Sequence, residues 1–599
     1  MTNNPRIYLW IALALMVWLN YDAWQRDYGP RPDLVTNTAR TTPGAPATPA
    51  ANDLANQIPQ APKETAPTGT NSTGANPAGA NAAGAGSTGT GAAGTNASGT
   101  TAATASTDSA PGTTPAGNPG AAAAPVVHVH TDVLDFDINT LGGTLQKADL
   151  LKYPKVKGEA APVRLENNDD PQTLYLLQSG LTGPQPAPSH LTQWQSERTD
   201  YQLDGAAELR VPLSWTDGQG VKVTKTYRFR PGKYRIGIEY KVENHSGAPW
   251  TAADYAQILR NDPRTKRSMF NVESYAFHGP AIYDGNKYRK LDTSDRDDEH
   301  LSLDVRNGWI AALQHHFVTA VVPPKDEPYR FTLTASADQY RLAAAGPSRT
   351  VAPGAAATFG ADIFVGPKLQ RQLKETSPEL ARVTDYNHLY VLAQPLFFLL
   401  DKVDAISGNW GVAIIFVTFL LKLAFYPLSE ASGRSMAKMK QLQPRIKNLQ
   451  ETYKDDSEKR GRAMMELYQR EKINPIAGCL PIIIQIPVFL AFYWVLLESV
   501  EMRQAPFAFW IRDLSSRDPL FVLPAIMAAA MFTQYKLNPA PPDPVQAKVF
   551  MFMPLVMSFM FAFFPAGLVL YWVTNTCLSI AQQWNINRRI AEAAARKKT

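Results

Sequence analysis

The C-terminal third of this 599-residue chain contains long runs without a charged side chain, and few folds can accommodate such runs. Three of them have 25, 17 and 39 residues and lie between Lys472 and Glu498, between Asp518 and Lys536, and between Lys548 and Arg588. A helix of about 20 apolar residues spans a bilayer, so the first two runs predict one span each. The third is too long for one helix, and Phe564-Pro565-Ala566-Gly567 divides it into two spans joined by a tight turn.

Two further apolar segments raise the predicted number of spans to six. The segment from Ile7 to Tyr21 has 15 uncharged residues and no small-x-small cleavage site after it, so it predicts an uncleaved signal-anchor. Residues 409–428 form a span with one charge, Lys422. Just before that span, one apolar stripe predicts an amphipathic helix at the membrane interface; its residues are Leu389, Leu392, Leu396, Leu399 and Val403.

The chain between the first span and this helix has two textures. From Thr36 to Pro125 it is almost entirely Ala, Gly, Thr, Pro, Ser and Asn, which cannot offset its own ordering entropy and predicts a flexible tether. Beyond the tether, apolar and polar residues alternate between Gly and Pro turns. Clear examples are Leu134, Phe136 and Ile138, and, after the turn Pro231-Gly232-Lys233, Tyr234, Ile236, Ile238, Tyr240 and Val242. This period of two predicts an antiparallel β-sandwich.

The loop charges predict the orientation in the membrane. Residues 429–475 carry 11 Lys/Arg and 7 Asp/Glu, and the tail from 585 carries 5 basic residues and 1 acidic residue. The loop 498–518 carries 3 basic and 4 acidic residues. The first two segments are therefore expected to be cytoplasmic. Both termini would then lie inside, and the β domain would be periplasmic in a Gram-negative host.

These patterns predict a polytopic α-helical membrane protein with six transmembrane helices and a large periplasmic antiparallel β-sandwich domain. The predicted parts are a signal-anchor helix at 1–28, a disordered tether at 29–125, the β-sandwich at 126–375, the interfacial helix at 376–408, a five-helix core at 409–587 that includes a cytoplasmic helical hairpin at 429–475, and a basic cytoplasmic tail at 588–599.

Lys422 is the strongest candidate for a functional residue. A charge at the centre of a span is unfavourable by at least about 2.5 kcal/mol, so such a group usually faces water or a partner. At about 1.5 Å per residue it lies about 9 Å before Leu428, and snorkelling to the headgroups is an equal alternative. Thr418, one turn away on the same face, favours a polar cavity.

Polar residues also mark two other predicted spans. Trp572, Asn575, Ser579 and Gln582 form a stripe on the last one, and Gln485 lies between Pro481 and Pro487. Each alone could be interhelical hydrogen-bond glue. With Lys422 they predict a hydrophilic groove inside the bundle.

The cytoplasmic loop has the pattern of a short antiparallel coiled coil. Met436, Met439, Leu442, Ile446, Leu449 and Tyr453 recur at steps of three or four, Asp455-Asp456-Ser457 interrupts them, and Met464, Leu467 and Tyr468 resume the pattern. Its Met-rich, basic surface could also contact another polypeptide or ribosomal RNA; the candidate residues are Met436, Lys438, Met439, Lys440 and Arg445.

No signature of an enzyme occurs: there is no Walker A loop, no H-E-x-x-H and no G-x-S-x-G. His128-Val129-His130 and His315-His316 could suggest a metal, although strand surfaces carry such histidines without one. A Ser/Lys dyad of Lys422 with Ser558 or Ser579 is a further alternative. Cys479 and Cys577 lie in apolar runs, which argues against a disulfide framework. We expect no metal, no cofactor and no enzymatic activity.

The membrane half resembles the YidC/Oxa/Alb family of insertases. The residues that carry the resemblance are Asn409-Trp410-Gly411, Lys422 with Tyr426-Pro427-Leu428, Ser435-Met436-Ala437-Lys438-Met439, Gln443-Pro444, Asn474-Pro475, Gly478-Cys479, Gln485-Ile486-Pro487, Arg503-Gln504-Ala505-Pro506-Phe507 and Phe564-Pro565-Ala566-Gly567-Leu568-Val569-Leu570-Tyr571-Trp572. Thr131-Asp132-Val133-Leu134 and Gln178-Ser179-Gly180-Leu181-Thr182-Gly183 are similar to the periplasmic domain of its Gram-negative branch.

The resemblance implies a groove with one positive charge, usually arginine, where this chain has Lys422. A lysine keeps the charge and loses bidentate capture of carboxylates. An aromatic that contacts clients, usually Tyr, corresponds to Trp572 next to Tyr571. The implied function is insertion and chaperoning of membrane proteins in the bacterial inner membrane. The implied partners are nascent clients, the Sec translocon, the lipid bilayer and, through hairpin and tail, the ribosome, with no small-molecule substrate. The alternatives are a secondary transporter that uses Lys422 and a membrane-anchored binding module.

Overall fold

The computed structural model describes residues 58–59, 125–261, 276–336, 339–384, 386, 389–454, 456–471, 480–537 and 544–596. The predicted signal-anchor and almost all of the predicted tether lie outside the described residues. The 20 strands of the described part are β1 Val126–His130, β2 Leu134–Asn139, β3 Thr144–Pro154, β4 Pro162–Arg164, β5 Tyr175–Thr182, β6 Gln195–Ser196, β7 Asp200–Gln202, β8 Leu209–Thr216, β9 Val221–Phe229, β10 Arg235–Asn244, β11 Trp250–Asn261, β12 Gly279–Tyr283, β13 Tyr288–Lys290, β14 Ser302–Arg306, β15 Trp309–Leu313, β16 Phe317–Val322, β17 Pro328–Ser336, β18 Gln339–Ala345, β19 Arg349–Val351 and β20 Ala356–Pro367.

Within these residues the strands form two sheets. One has 11 strands in the order β14-β17-β18-β11-β5-β3-β2-β1-β7, with β19 paired to β11 and β4 paired to β3. The other has nine in the order β13-β12-β15-β16-β20-β10-β9-β8-β6. The pairs are antiparallel, as predicted, except that β1 and β7 run parallel.

The two sheets enclose one hydrophobic core. The predicted alternation is confirmed there: Leu134, Phe136 and Ile138 are fully buried, and so are Ile236 and Val242 on the facing sheet. The rings of Phe136 and Phe229 join the two layers, with centroids 5.5 Å apart. Period-two burial from both sides is what makes the arrangement a sandwich.

One lysine of β9 lies inside this core. The Lys225 ammonium donates to the carbonyl oxygens of Gly142, Gly143 and Ser179 at 3.2, 2.8 and 3.2 Å. It also lies over the rings of Trp194, Tyr227 and Tyr240. Complete burial holds the pKa of this lysine well below its usual value. These hydrogen bonds connect β9 of one sheet to β5 and the β2–β3 turn of the other sheet.

Helices make up most of the rest of the described chain: α1 Arg296–Glu299, α2 Gln370–Thr376, α3 Tyr390–Ser407, α4 Trp410–Ala424, α5 Tyr426–Thr452, α6 Ser457–Arg470, α7 Leu480–Glu498, α8 Val522–Leu537, α9 Pro544–Phe561 and α10 Ala566–Arg596. In α3 the buried residues are Ala393, Leu396, Phe397 and Leu400, while Leu392 is exposed. The other residues of the predicted stripe, Leu389, Leu399 and Val403, pack against the helical core.

The span predicted at 409–428 is interrupted at Phe425. Helix α4 ends at Ala424, and α5 leaves it at an angle of 60°. Pro427, at the start of α5, has no N–H to donate to a carbonyl of α4, so the hydrogen-bond ladder does not continue from one helix into the next. Among the described helices, none alone combines the length and apolarity of a membrane span; α4 and the first part of α5 (Tyr426–Ser435) do so as a bent pair.

The helices α5 and α6 form the hairpin that the coiled-coil pattern predicts. Leu442 and Ile446 are buried against Met464, Leu467 and Tyr468. Asp456 caps α6 by accepting the Lys459 amide at 2.9 Å. The last helix, α10, continues beyond the predicted boundary at 587 and ends at Arg596.

The loop Ser499–Phe521 between α7 and α8 is bound to the sandwich. Arg503 donates to the carbonyl of Pro154 at 2.9 Å, and the Gln504 amide donates to the same oxygen at 3.0 Å. In the other direction, Lys157 donates to the Gln504 carbonyl at 2.6 Å. Nε2 of His315 lies 3.0 Å from the Leu497 carbonyl at the end of α7. These contacts form the junction between the β domain and the helices.

Candidate functional site: a polar cavity among apolar helices

Helix α4 is fixed at the end nearest the junction. Asn409 caps it by accepting the Val412 amide at 3.1 Å, and its own amide donates to the Phe507 carbonyl at 2.9 Å. A side-chain carbon at Gly411 would lie 2.0 Å from the Phe507 ring, so only glycine allows this approach. The loop therefore sets the position of the helix that carries Lys422.

Lys422 is 9% exposed and points towards α10. Its ammonium donates to Oγ of Ser579 at 2.8 Å, and that hydroxyl donates to the Asn575 carbonyl at 2.7 Å. The Gln582 amide donates to the Lys422 carbonyl at 3.1 Å. The side chain thus extends across the helix interface and not towards the end of its own helix, as snorkelling would require.

A second polar contact joins α7 to α10. The Gln485 amide donates to Oδ1 of Asn575 at 2.9 Å, and Gln485 also hydrogen-bonds the Tyr571 hydroxyl. Tyr571 is buried between the rings of Phe489 and Phe492. The Thr418 hydroxyl donates to the Ile414 carbonyl of its own helix at 2.6 Å.

Several of these side chains border a small, partly open cavity; the residues that line it are Thr418, Leu421, Lys422, Phe425, Ser429, Gln485, Val488, Tyr571 and Asn575. None of these lining residues is acidic, so the ammonium is balanced by neutral dipoles only. Such a cavity can accept water, carbonyl groups or a carboxylate.

The structure brings together six of the seven groove residues singled out in the sequence: Lys422, Thr418, Gln485, Tyr571, Asn575 and Ser579. Trp572 lies apart from the cavity lining, with its ring against Phe489 and Phe561. Its indole N–H is buried without a hydrogen-bond partner among the described residues. Sequence reasoning missed Ser429, although it follows Lys422 at the heptad spacing, because the bend at Phe425 was not foreseen.

The hairpin residues are described only in part. Arg445 pairs with Glu471 at 2.7 Å, and Met439 is half-buried. The side chains of Met436, Lys438 and Lys440 lie outside the described residues.

The histidine pairs and the Ser/Lys dyad, which the sequence offered as alternative sites, differ in their geometry. His128 pairs with Asp137 at 2.7 Å, the rings of His315 and His316 stack on each other, and no group of metal-ligating side chains occurs in the described part of the chain. Lys422 and Ser579 do have the separation of a Ser/Lys dyad. However, the serine hydrogen points to the Asn575 carbonyl, away from the lysine.

The described chain thus combines a large β-sandwich with apolar helices that enclose a cationic, polar cavity, and two family models match these two parts. A family model described as 60Kd inner membrane protein matches residues 402–593, and one described as YidC periplasmic domain matches residues 126–399. The chain belongs to the YidC family, as its curated relatives show.

A membrane protein insertase YidC from Thioalkalivibrio sulfidiphilus is 42% identical over 608 residues, which cover 99% of this chain and 99% of that protein. One from Methylococcus capsulatus is 47% identical over 477 residues, or 78% of this chain and 87% of that protein. Among solved structures, an active YidC insertase with its first transmembrane domain is 18% identical with a TM-score of 0.34, and the match covers 77% of this chain and 94% of that chain.

Proposed function

We propose that the chain inserts membrane proteins into the inner membrane, and that the cavity beside Lys422 receives a hydrophilic segment of the client. One observation carries this proposal: a buried ammonium, held by Ser579, faces a cavity whose described lining contains no carboxylate. An acidic client segment supplies the missing negative charge. As a point charge, lysine attracts such a segment without selecting a bidentate geometry.

Transfer of the client's apolar segment into lipid supplies the free energy. Each Å² of apolar surface removed from water is worth about 25 cal/mol, so a whole span is strongly favoured without a nucleotide. The exposed outer face of α4, which includes Phe416, Phe419 and Leu423, gives the segment an apolar surface to follow. The protein's part is to lower the barrier for the polar segment.

The topology we propose has six spans, both termini in the cytoplasm and residues 22–385 in the periplasm. It is supported by the junction, since Arg503 and Gln504 bind the β domain and must share its side of the membrane. Helix α4 starts beside the same loop at Asn409 and leads away to the basic hairpin. The charge difference between the loops agrees with this direction.

The hairpin and the basic tail are the proposed contacts for nascent chains and the ribosome, and the Sec translocon is a proposed partner. Lys438, Lys440 and Arg445 supply the positive charge, and the methionines Met436 and Met439 supply an adaptable apolar surface. The transporter alternative is not supported, because the full-length relatives are named insertases.

Depletion of the protein in its host, with insertion of a small phage-coat-like client as the readout, tests the proposal. We expect the client to accumulate uninserted and to be rescued by the intact chain. Normal insertion during depletion, verified by blotting, would contradict the function. Transport of a solute that stops while insertion continues would favour the transporter.

A further inference from the structure

The loop Ser499–Phe521 has an inner side and an outer side of different character. On the inner side, Ile511 and Leu514 are buried in the helical core. On the outer side, Phe509 is 93% exposed, Leu520 61% and Phe521 45%. The role of the loop as a connector does not explain why it displays three large apolar side chains between positions 509 and 521.

Hydrogen bonds to one buried carboxylate hold the backbone that carries the outward side chains. Asp518 is buried, and its carboxylate accepts the Trp510 indole N–H at 2.9 Å, the Leu520 amide at 3.0 Å and the Leu523 amide at 2.7 Å. The Trp510 ring stacks with that of Phe509. A single carboxylate therefore joins the turn that carries Phe509 to the turn that carries Leu520.

Backbone strain accompanies the exposure. Phe509 and Phe521 both have a φ of 54°, in the left-handed region that bulky residues rarely adopt. Strain of this kind persists where the surroundings impose it, and it is found where a side chain must be presented. In this loop it falls on Gln504, which binds the sandwich, and on two residues of the exposed apolar surface.

The position of the loop indicates what covers it. It starts at the end of α7, finishes at the start of α8, and binds Asn409 at the start of α4 through the Phe507 carbonyl. Ile406, three residues before Asn409, is 89% exposed. Arg512 and Arg517 are also exposed on the loop. Aromatic and aliphatic tips next to arginines, at the ends of apolar helices, are typical of groups at the lipid headgroup boundary.

We propose that the loop Ser499–Phe521 is a lipid anchor, which inserts Phe509, Leu520 and Phe521 into the leaflet on the side of the β domain and places Arg512 and Arg517 at the lipid phosphates. The anchor depends on the proposed spans α7 and α8 and is independent of client insertion. Because the same loop binds the sandwich through Arg503 and Gln504, the anchor also sets the height of the β domain above the bilayer.

The test uses the full chain with C479A and C577A, labelled at a single new cysteine with an environment-sensitive fluorophore. The probe sites are F509C, F521C and L520C, and L520C has ordinary backbone in case the strained positions do not tolerate change. The matched control is L141C, since Leu141 lies on the β domain and is 44% exposed. The labelled proteins are placed in vesicles of phosphatidylglycerol and phosphatidylethanolamine.

We expect lipids with a nitroxide near the headgroup end of the acyl chain to quench the three loop probes several-fold more than the control, and aqueous iodide to do the reverse. Iodide quenching of the loop probes equal to that of L141C would overturn the anchor. So would a loop that lipids do not quench and that only an added client shields from iodide, which would identify a client-binding surface.

Discussion

The hydrogen bond from Lys422 to Ser579 fixes the direction of the one charged side chain in helix α4. A single charge in an apolar run is visible to any reader of the sequence. The bond to Ser579 depends on how α4 and α10 pack, which no local pattern contains. Because no local pattern contains this packing, the sequence alone left two directions open for the Lys422 side chain, towards a groove or towards the lipid headgroups.

Substitutions at Lys422 should separate the two explanations of this charge. If it attracts clients as a point charge, Lys422→Arg is tolerated, Lys422→Ala slows clients with acidic outer segments, and Lys422→Glu is the most harmful. The loss should be graded, because the cavity and the polar groups of α10 remain. The measurement is insertion of acidic and neutral clients at protein levels matched by blotting.

Two controls make this comparison specific. Leu423→Ala shortens the neighbouring exposed apolar side chain, so any effect on insertion should be equal for acidic and neutral clients and the preference between them should not change. Ser579→Ala removes the hydroxyl and should only weaken the preference, whereas a Ser/Lys dyad would lose all activity. Equal insertion of both kinds of client by wild type and by the alanine and glutamate variants would remove Lys422 from the mechanism.

His315 at the junction should make the fold sensitive to acid. Burial, followed by the charge of Lys368, lowers its pKa to about 3, and His278, His316 and Arg503 are also close. The unfolded chain, with a pKa near 6.5, binds the proton more readily, so stability is lost as the pH falls below that value. Between pH 7 and pH 5 this histidine accounts for about 2 kcal/mol.

The measurement is the melting temperature of the full chain in detergent as a function of pH. His315→Gln keeps an N–H for the Leu497 carbonyl and removes the titration, so its curve should be flatter between pH 7 and pH 5. His278 and His316 remain and keep part of the slope. A variant curve parallel to that of the wild type would show that His315 binds protons equally in the folded and the unfolded chain.

Lys225 shows where reasoning from periodicity fails. Alternation along β9 puts position 225 on the inward face between Val223 and Tyr227. A charged lysine is not expected at such a buried position. Three carbonyl acceptors, two from the turn between β2 and β3 and one from β5, make the position favourable. Only the assembled sheets bring those acceptors together.

At the scale of elements, the strands and helices could be predicted from the sequence, whereas the bends within apolar segments were harder to predict. The uncharged runs gave α7 to α10, and the Phe564–Gly567 break was found between α9 and α10. The bend at Phe425 was not predicted. Hydropathy is the same on both sides of it, so the apolar run reads as one continuous span despite Pro427. In α3, several apolar faces made the buried stripe ambiguous.

The contact between α4 and the loop gives a prediction at this scale. In Gly411→Ala the new methyl group would meet Phe507 along most of its side chain, including Cβ at 2.8 Å, so rotation of the ring cannot relieve it. We expect a destabilisation of about 1–3 kcal/mol. A lower melting temperature in detergent would show it.

Gly461→Ala is the matched control for this change. It lies in helix α6 with no atom near its added carbon, so it should be neutral or stabilising by up to about 1 kcal/mol. Similar melting temperatures for the two variants would mean that the loop adapts to a side chain at position 411.

For the whole molecule, the β domain should be largely dispensable for insertion. The cavity, the hairpin and the five proposed spans after the first lie beyond residue 385, and the β domain contacts them through the junction, where the loop binds Pro154. A deletion that keeps the first span and rejoins near residue 380 should still support growth of the depleted host. Complete loss of client insertion by a truncated protein that is stable in the membrane would contradict this.

The proposed topology can be tested in the same cysteine-free chain. Single cysteines between 429 and 475 should react only after the inner membrane is opened, and cysteines on the β domain should react in intact spheroplasts. Position 461 suits the first group, since it has open space around it. Labelling of the hairpin from the periplasmic side would contradict a topology in which both termini are cytoplasmic.

The junction has a consequence for how this protein can change over evolution. Its donors are the side chains of Arg503, Gln504, Lys157 and His315, while every acceptor named above is a main-chain carbonyl. A carbonyl is supplied by any amino acid, so the acceptor segments are free to diverge provided their backbone path is kept. Paired substitutions across this boundary should therefore be rare among homologues. Chimaeras that exchange whole β domains between relatives should dock without redesign when those four donors are retained.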